Sequence, residues 1–171
     1  MRFANTVPSF RRARAFQFGF ERLTIRRAGA PTGSGKTTIF ELAMLAALRG
    51  PNATESVVGG LNRRKVIYLA PNRALVAEKA RDWRARFGQI GITFAELTGD
   101  QDFGGDIWGE IEFVVVILAT PEKFDRVIRL DANRGGMSFF SDVAAVLIDE
   151  VHLIGDSRGG CLEVIVSSLK L

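Results

Sequence analysis

One stretch constrains the fold of this chain more than any other: residues 30–37, which read APTGSGKT. Small residues let backbone N–H groups approach a polyphosphate, a lysine supplies a positive charge for its outer phosphates, and a threonine hydroxyl can bind Mg²⁺. The usual pattern begins with glycine, whereas Ala30 holds that position here. Lys36 and Thr37 lead directly into a helical pattern, which puts their amides at the positive end of a helix. The stretch therefore predicts a phosphate-binding loop rather than a Gly/Ser-rich turn that only caps a helix.

A second element lies far downstream, where the apolar residues 146–148 lead into Asp149 and Glu150, followed by Val151 and His152. An apolar strand that ends in two acids is where phosphate-loop enzymes hold the metal ion and the attacking water. Each element strengthens the interpretation of the other as part of a nucleotide site.

Length and composition are those of an ordinary soluble globular domain. The 171 residues suffice for one domain with a real core, and 47% of them are hydrophobic and 25% charged. No apolar run is longer than that of residues 113–119, which is too short to cross a bilayer, so we expect no membrane partner. Cys161 is the single cysteine, which excludes an internal disulfide or a cysteine-rich zinc site and indicates a reducing compartment.

The net charge of +4 suggests a nucleic-acid partner until it is divided along the chain. Residues 1–30 contain seven arginines and one acid, a balance of +6, and subtracting this from +4 leaves −2 for residues 31–171. The predicted domain is therefore not basic, and nucleic-acid binding must come from local contacts. Residues 1–20, which contain arginines and no acid, are compatible with a mitochondrial transit peptide, a mobile basic arm, or sequence outside the native fold.

Hydrophobic patterning predicts strands that alternate with helices. Short apolar or β-branched runs predict strands at residues 23–25, 66–70, 92–97, 113–118 and 146–148. Helical patterns occupy residues 36–49, 73–87, 121–131 and 159–170, while residues 101–112 form a loop or a short helix. Gly88 is the predicted C-cap of the second helix, and Thr120 and Pro121 are the N-cap and first residue of the third. The alternation predicts an α/β fold: a doubly wound, mainly parallel sheet with helices on both faces and ligands at the carboxyl ends of its strands.

Four further segments lie where a predicted strand gives way to a loop or helix: residues 71–75 (PNRAL), 98–100 (TGD), 120–123 (TPEK) and 149–152 (DEVH). Each alone has an ordinary structural explanation. In this order behind a phosphate loop, they resemble the first RecA-like domain of a superfamily 2 helicase. APTGSGKT is similar to helicase motif I, PNRAL to motif Ia, TGD to motif Ib, TPEK to the nucleic-acid motif that follows, and DEVH to motif II. The resemblance extends over residues 28–171.

Longer runs resemble one branch of this superfamily. RALVAEKARDWRARFG, ATPEKFD and DEVHLIGDSRGGCLE are similar to the branch of the meiotic crossover DNA helicases, the spliceosomal RNA helicase that unwinds small nuclear RNAs, and archaeal repair helicases. Trp83, Phe87 and Gly88 favour the meiotic group. That resemblance implies a nuclear protein whose partner is single-stranded or duplex nucleic acid, with DNA favoured over RNA. The transit-peptide interpretation of residues 1–20 implies mitochondria instead.

The resemblance also implies roles for individual residues in binding ATP and Mg²⁺. The residues around the phosphates are Ala30, Pro31, Thr32, Gly33, Ser34, Gly35, Lys36, Thr37 and Thr38. Thr37 would ligate Mg²⁺, Asp149 would hold the metal through water, and Glu150 would polarise the attacking water. His152 would report the nucleotide state to a second domain. The implied catalytic set is Lys36, Asp149, Glu150 and His152.

For nucleic acid, the resemblance implies contacts with the phosphates of one strand and not with base edges. The residues concerned are Pro71, Arg73, Thr98, Gly99, Thr120, Pro121 and Lys123.

The sequence departs from the family in two respects. Motif III, the second RecA-like domain and its arginine finger do not occur before Leu171, so the resemblance implies that turnover needs a second RecA-like domain. Residues 16–18 (FQF) lie too near the phosphate loop to be the segment that contacts adenine, so adenine specificity is implied by the family alone.

We therefore expect a basic arm at residues 1–22, disordered or foreign to the fold, and an incomplete ATP-binding domain of an ATP-dependent helicase at residues 23–171. The alternative is a fragment that binds nucleotide or a partner protein without turnover. A different kind of phosphate-loop NTPase would leave PNRAL, TGD and TPEK unexplained.

Overall fold

A computed structural model describes residues 24–25, 35–49, 64–99, 107–133, 142–150 and 160–168. The strands are β1 (Thr24–Ile25), β2 (Lys65–Leu69), β3 (Phe94–Leu97), β4 (Val116–Ala119) and β5 (Val143–Ile148). The helices are α1 (Lys36–Arg49), α2 (Arg73–Phe87), α3 (Ile107–Glu112), α4 (Pro121–Asn133) and α5 (Gly160–Ser168), with a 3₁₀ turn at Gly88–Ile90. Within these ranges, no helix has both the length and the apolar character needed to span a membrane.

The five strands form one parallel sheet in the order β1-β5-β2-β4-β3. β2 is central, with Leu69 opposite Ala119 of β4 and Ile148 of β5. Every residue of β2 and β4 is buried, as expected of parallel strands that are covered on both faces. Because all five strands are parallel, the segments that follow them all leave the sheet at one end, the carboxyl end of its strands. The predicted parallel α/β fold is confirmed.

Alternate residues of β2 pack into hydrophobic clusters on opposite faces of the sheet, Tyr68 into one and Ile67 and Leu69 into the other. The Tyr68 face is covered by α1 and α2, through Phe40, Met44, Leu48, Val76, Ala80 and Trp83. The opposite face is covered by α4 and α5, through Phe124, Val127, Leu162 and Ile165. Helices therefore lie on both faces of the sheet, as predicted.

Lys65, the first residue of β2, is a buried lysine that holds the end of α3. Its Nζ donates to the carbonyl oxygens of Ile111, Glu112 and Val114 at 2.8 Å each. These carbonyls lie at and just beyond the end of α3, where a helix has few backbone donors left, so the ammonium group supplies hydrogen bonds there. Burial lowers the pKa of Lys65 below its ordinary value of 10.5, while the charges of Asp142 and Glu112 act in the opposite direction.

The start of β4 differs from the prediction. The β-branched run 113–118 predicts a strand from Phe113, but β4 begins at Val116 and Phe113 is 81% exposed. The chain is still turning at this point, because the N–H of Val114 donates to the carbonyl of Ile111 at 3.3 Å. Residues 113–115 therefore form the turn between α3 and β4, although local patterning assigns them to the strand.

The end of α2 also differs in detail. α2 ends at Phe87 and Gly88 is its C-cap residue, as predicted. However, Gly88 has a φ of −60°, and its N–H donates to the carbonyl of Arg84, so the chain continues into the 3₁₀ turn. The left-handed conformation falls on Gly91, with a φ of 83°. β3 consequently begins at Phe94, two residues later than predicted.

Candidate nucleotide-binding site

The predicted phosphate loop leads into the amino end of α1. Gly35 has a φ of 80°, the left-handed region that favours glycine, and its carbonyl accepts the N–H of Ile39 at 3.2 Å. A Cβ added at Gly35 would meet nothing within 4 Å, so the space beside it is open. The first N–H groups of a helix lack intrahelical acceptors, which suits this terminus to a phosphate. Outside the described residues lie Ala30, Pro31, Thr32, Gly33 and Ser34, and the side chain of Lys36 is not described either.

Thr37 and Thr38 are exposed in the first turn of α1. The Thr37 hydroxyl accepts a hydrogen bond from Nζ of Lys79 in α2 at 3.3 Å. Sequence reasoning missed Lys79, because nothing distinguishes it from the other charged residues of an amphipathic helix. The contact ties the predicted Mg²⁺ ligand to the helix that follows β2.

Asp149 and Glu150 follow β5 at the carboxyl end of the strands. The N–H of Asp149 donates to the carbonyl of Leu69 at 2.9 Å, which extends the pairing of β5 with β2. Oδ1 of Asp149 accepts the N–H of Glu150 at 2.9 Å, and Oδ2 accepts the hydroxyl of Tyr68 at 2.7 Å. Glu150 has a φ of 52°, which is uncommon for a residue with a side chain. His152 lies outside the described residues.

Tyr68 is the second residue that sequence reasoning missed. Its ring is fully buried, 5.8 Å from the ring of Phe40 in α1 and 5.1 Å from that of Trp83 in α2, with both pairs packed edge to face. Burial and then the carboxylate of Asp149 raise the pKa of Tyr68 above its ordinary value of 10.0, so its hydroxyl stays a donor.

Glu41 in α1 holds Trp83, one of the two rings that pack against Tyr68. It is 5% exposed, accepts the indole N–H of Trp83 on Oε1 at 3.3 Å, and forms an ion pair with Arg86. A buried carboxylate with two such donors is satisfied, so it fixes α1 against α2. This fixes the two helices that cover Tyr68.

The residues present fit a Mg²⁺ ion. Thr37 and Phe40 are neighbours on one face of α1, and Phe40 contacts Tyr68, which binds Asp149. The Thr37 hydroxyl and the Asp149 carboxylate thus lie at the same end of the sheet, and both are hard oxygen donors. Among the described residues there is no group of three or more His, Cys, Asp or Glu able to hold a metal. Mg²⁺ usually binds through one or two protein oxygens and keeps waters and phosphate oxygens as its other ligands, so Thr37 and Asp149 are enough to fit it.

Two of the predicted nucleic-acid contacts lie close together. Arg73 is exposed at the start of α2, and its Nη1 is 4.0 Å from where a Cβ on Gly99 would lie. Asn72 caps α2 by accepting the N–H of Leu75 on its side chain at 2.9 Å. Gly99 has a φ of 87° in the turn after β3. The structure therefore brings motifs Ia and Ib together.

The remaining nucleic-acid candidates differ in exposure. Pro71 and Thr98 are partly exposed beside the first two. Thr120 is only 7% exposed, and its carbonyl accepts the N–H of Phe124 at 3.0 Å, which starts α4 at Pro121 as predicted. Lys123 is partly exposed in the first turn of α4.

The sequence matches the family model described as "DEAD/DEAH box helicase" over residues 15–171. The protein named "ATP-dependent DNA helicase homolog MER3" from Arabidopsis thaliana is 48% identical over 143 residues, 83% of this chain and 12% of the relative. "Probable ATP-dependent DNA helicase HFM1" from Homo sapiens is 42% identical over 142 residues, 82% of this chain and 9% of the relative. "Activating signal cointegrator 1 complex subunit 3" from Dictyostelium discoideum is 40% identical over 144 residues, which cover 84% of this chain and 6% of the relative. The chain thus spans only 6–12% of the length of these curated relatives.

Proposed function

Because this chain belongs to the DEAD/DEAH box helicase family as a helicase ATP-binding domain, we propose that it is the ATP-binding half of a DNA-dependent ATPase and helicase. It would bind ATP with Mg²⁺, would not unwind DNA alone, and would need a second RecA-like domain for turnover. The predicted resemblance to the meiotic DNA helicase branch is confirmed by the likeness to MER3 and HFM1. Two similar proteins whose names state a DNA helicase support DNA over RNA as the partner. The nucleus as the location stays a proposal that follows from the resemblance to the meiotic branch.

One observation carries the proposal: Phe40 near the start of α1 packs against Tyr68, and the hydroxyl of Tyr68 donates to Asp149, which puts the start of α1 and Asp149 at the same end of one parallel sheet. Lys36 would contact the outer phosphates, and Thr37 and Asp149 would hold the metal. Bound Mg²⁺ would neutralise the charge that develops on the phosphates. Glu150, held by its N–H bond to Asp149, would polarise the attacking water, and His152 would signal to a second RecA-like domain. That second domain would supply an arginine finger, typically worth about 10³–10⁵ in rate.

The boundary between a basic arm at residues 1–22 and the domain at residues 23–171 stays a prediction. The first described strand begins at Thr24, whereas the family match begins at residue 15. The alternative function, a module that binds nucleotide or a partner without turnover, differs from the proposal in one respect. The proposal requires hydrolysis stimulated by single-stranded DNA when a second RecA-like domain is present, and the alternative requires none.

Lys36→Ala tests the nucleotide site directly. Loss of a charge-assisted contact with a polyphosphate should weaken the binding of a fluorescent ATP analogue by roughly ten- to a hundredfold. Lys123→Ala removes the same charge from α4 and should bind the analogue as tightly as the wild type does. Equal affinities of Lys36→Ala and the wild type would reject the site.

A further inference from the structure

The hydroxyl of Tyr68 reaches a carboxylate that lies 81 positions further along the chain. We propose that Tyr68 is a positioning residue for the metal site, whose hydroxyl fixes the Asp149 carboxylate and, through it, the backbone of Glu150. This inference rests on the proposed function, because it assigns Tyr68 a task only where Asp149 holds Mg²⁺.

The sheet itself brings the two side chains together. Tyr68 pairs with Leu147, and both belong to the cluster under α1 and α2. Side chains two residues apart on a strand lie on the same face, so Asp149 is the next side chain after Leu147 on the Tyr68 face. The N–H of Asp149 is fixed by the carbonyl of Leu69 at 2.9 Å, which sets where the carboxylate starts. This backbone contact leaves the rotation of the Asp149 carboxylate undetermined.

The Tyr68 ring is held firmly enough to orient the Asp149 carboxylate. Phe40 and Trp83 contact the ring edge to face from two helices, and the residue has no exposed surface. Its hydroxyl therefore points in one direction before any ligand binds. A group whose direction is fixed in advance orients its partner without a further loss of side-chain freedom.

The contacts leave room for a metal ion. An ionised carboxylate offers about four lone-pair positions on its two oxygens. Tyr68 uses one on Oδ2 and the N–H of Glu150 uses one on Oδ1, which leaves one on each oxygen for water on the metal. Without the hydroxyl, the carboxylate rotates about a terminal torsion that has only broad preferences. The Asp149 carboxylate then keeps only its hydrogen bond from the N–H of Glu150, so the orientation of the carboxylate and of that peptide is less constrained.

Tyr68→Phe tests the inference, because phenylalanine keeps the ring between Phe40 and Trp83 and removes only the hydroxyl. The binding of a fluorescent ATP analogue is titrated with Mg²⁺, and separately measured in EDTA. We expect the half-saturating Mg²⁺ concentration to rise about tenfold, as is typical when a partner of a metal ligand is lost. Affinity in EDTA should not change, since Tyr68 is not expected to touch the nucleotide.

A double-mutant cycle separates this role from a merely structural one. In an Asp149→Asn background, Tyr68→Phe should cause no further change in the Mg²⁺ dependence, because the carboxylate that it orients is gone. If Tyr68→Phe changes the Mg²⁺ dependence equally in both backgrounds, or in neither, the inference is wrong.

The wild-type protein offers a second, independent readout. Tyr68 is the only tyrosine in the chain, so protein labelled with [¹³Cζ]tyrosine gives a single NMR resonance. Nucleotide with Mg²⁺ should shift this resonance, and nucleotide with EDTA should leave it in place. A resonance that does not respond to Mg²⁺ would overturn the inference even if Tyr68→Phe failed to fold.

The two proposals fail in different ways. Equal nucleotide affinities of Lys36→Ala and wild type would reject the nucleotide site, and the role of Tyr68 with it. If Lys36→Ala weakens binding while Tyr68→Phe keeps the wild-type Mg²⁺ dependence, the nucleotide site stands and only the role of Tyr68 is rejected.

Discussion

Oδ1 of Asp149 accepts the backbone N–H of Glu150 at 2.9 Å, and Glu150 lies in the left-handed region with a φ of 52°. A side chain in this region costs roughly 1–2 kcal/mol, which glycine avoids. The cost falls on the residue that we propose polarises the attacking water. Backbone strain of this kind is typical of functional sites, where the surrounding contacts hold a conformation that the residue alone would leave.

Glu150→Gly should therefore be more stable than Glu150→Ala. Both variants lose the carboxylate, but only glycine relieves the strained φ of 52°. After allowing for the greater freedom of glycine in the unfolded chain, we expect a difference of about 0.5–1 kcal/mol in the free energy of unfolding, measured by urea denaturation. Gly35→Ala reverses the comparison: its φ is 80° and an added Cβ meets nothing within 4 Å, so strain alone should destabilise it. A Glu150→Ala variant at least as stable as Glu150→Gly would contradict the left-handed conformation.

Lys65→Met should destabilise the fold by about 2–3 kcal/mol. The variant keeps an apolar stem but removes the ammonium donor from three carbonyl oxygens, those of Ile111, Glu112 and Val114, of which Ile111 keeps the backbone N–H of Val114. Loss of a partner for a buried acceptor costs about 1–3 kcal/mol, and two of these three hydrogen bonds are only partly buried. Lys79→Met is the matched control, because Lys79 makes one exposed hydrogen bond of 3.3 Å and should change stability by less than about 0.5 kcal/mol.

The effect of Lys65→Met should also grow with pH. The pKa of Lys65 is lowered in the folded state, so between that pKa and the ordinary value of 10.5 the unfolded chain binds more protons than the folded one. The contribution of Lys65 to folding stability therefore rises with pH in this window. The gap between wild type and Lys65→Met in urea denaturation should widen as the pH approaches 10.5. A gap that stayed constant would show that burial does not perturb the lysine.

Local patterns predicted much of this fold. The bounds of α1 and α2 agree with the prediction residue for residue, because each helical pattern is followed in the sequence by a glycine, Gly50 or Gly88. The run of β-branched residues before Thr120 identified a buried parallel strand, although β4 begins only at Val116. Short-range chemistry thus fixed where most elements lie.

Contacts between distant residues could not be predicted in this way. Tyr68 has the pattern of an ordinary core residue, and its bond to Asp149 spans 81 positions. Lys65 precedes an apolar run as any solvated lysine can, yet its three acceptors lie 46 to 49 residues away. Both depend on which strands become neighbours. The strand order β1-β5-β2-β4-β3 brings Tyr68 beside Asp149. This order cannot be predicted from any short stretch of the sequence.

Arg73→Ala should weaken the binding of single-stranded DNA equally for all sequences. Arg73 is exposed beside Gly99, at the start of α2, where a backbone phosphate would also meet the helix terminus. Loss of one phosphate contact should cost about tenfold in affinity and reduce the slope of log K against log[salt] by roughly 0.7. Fluorescence anisotropy between low and physiological salt measures both quantities. Arg81→Ala removes the same charge from an exposed position further along α2 and should have a much smaller effect. If the two variants behave alike, or if Arg73→Ala affects one base sequence selectively, Arg73 does not make the proposed phosphate contact.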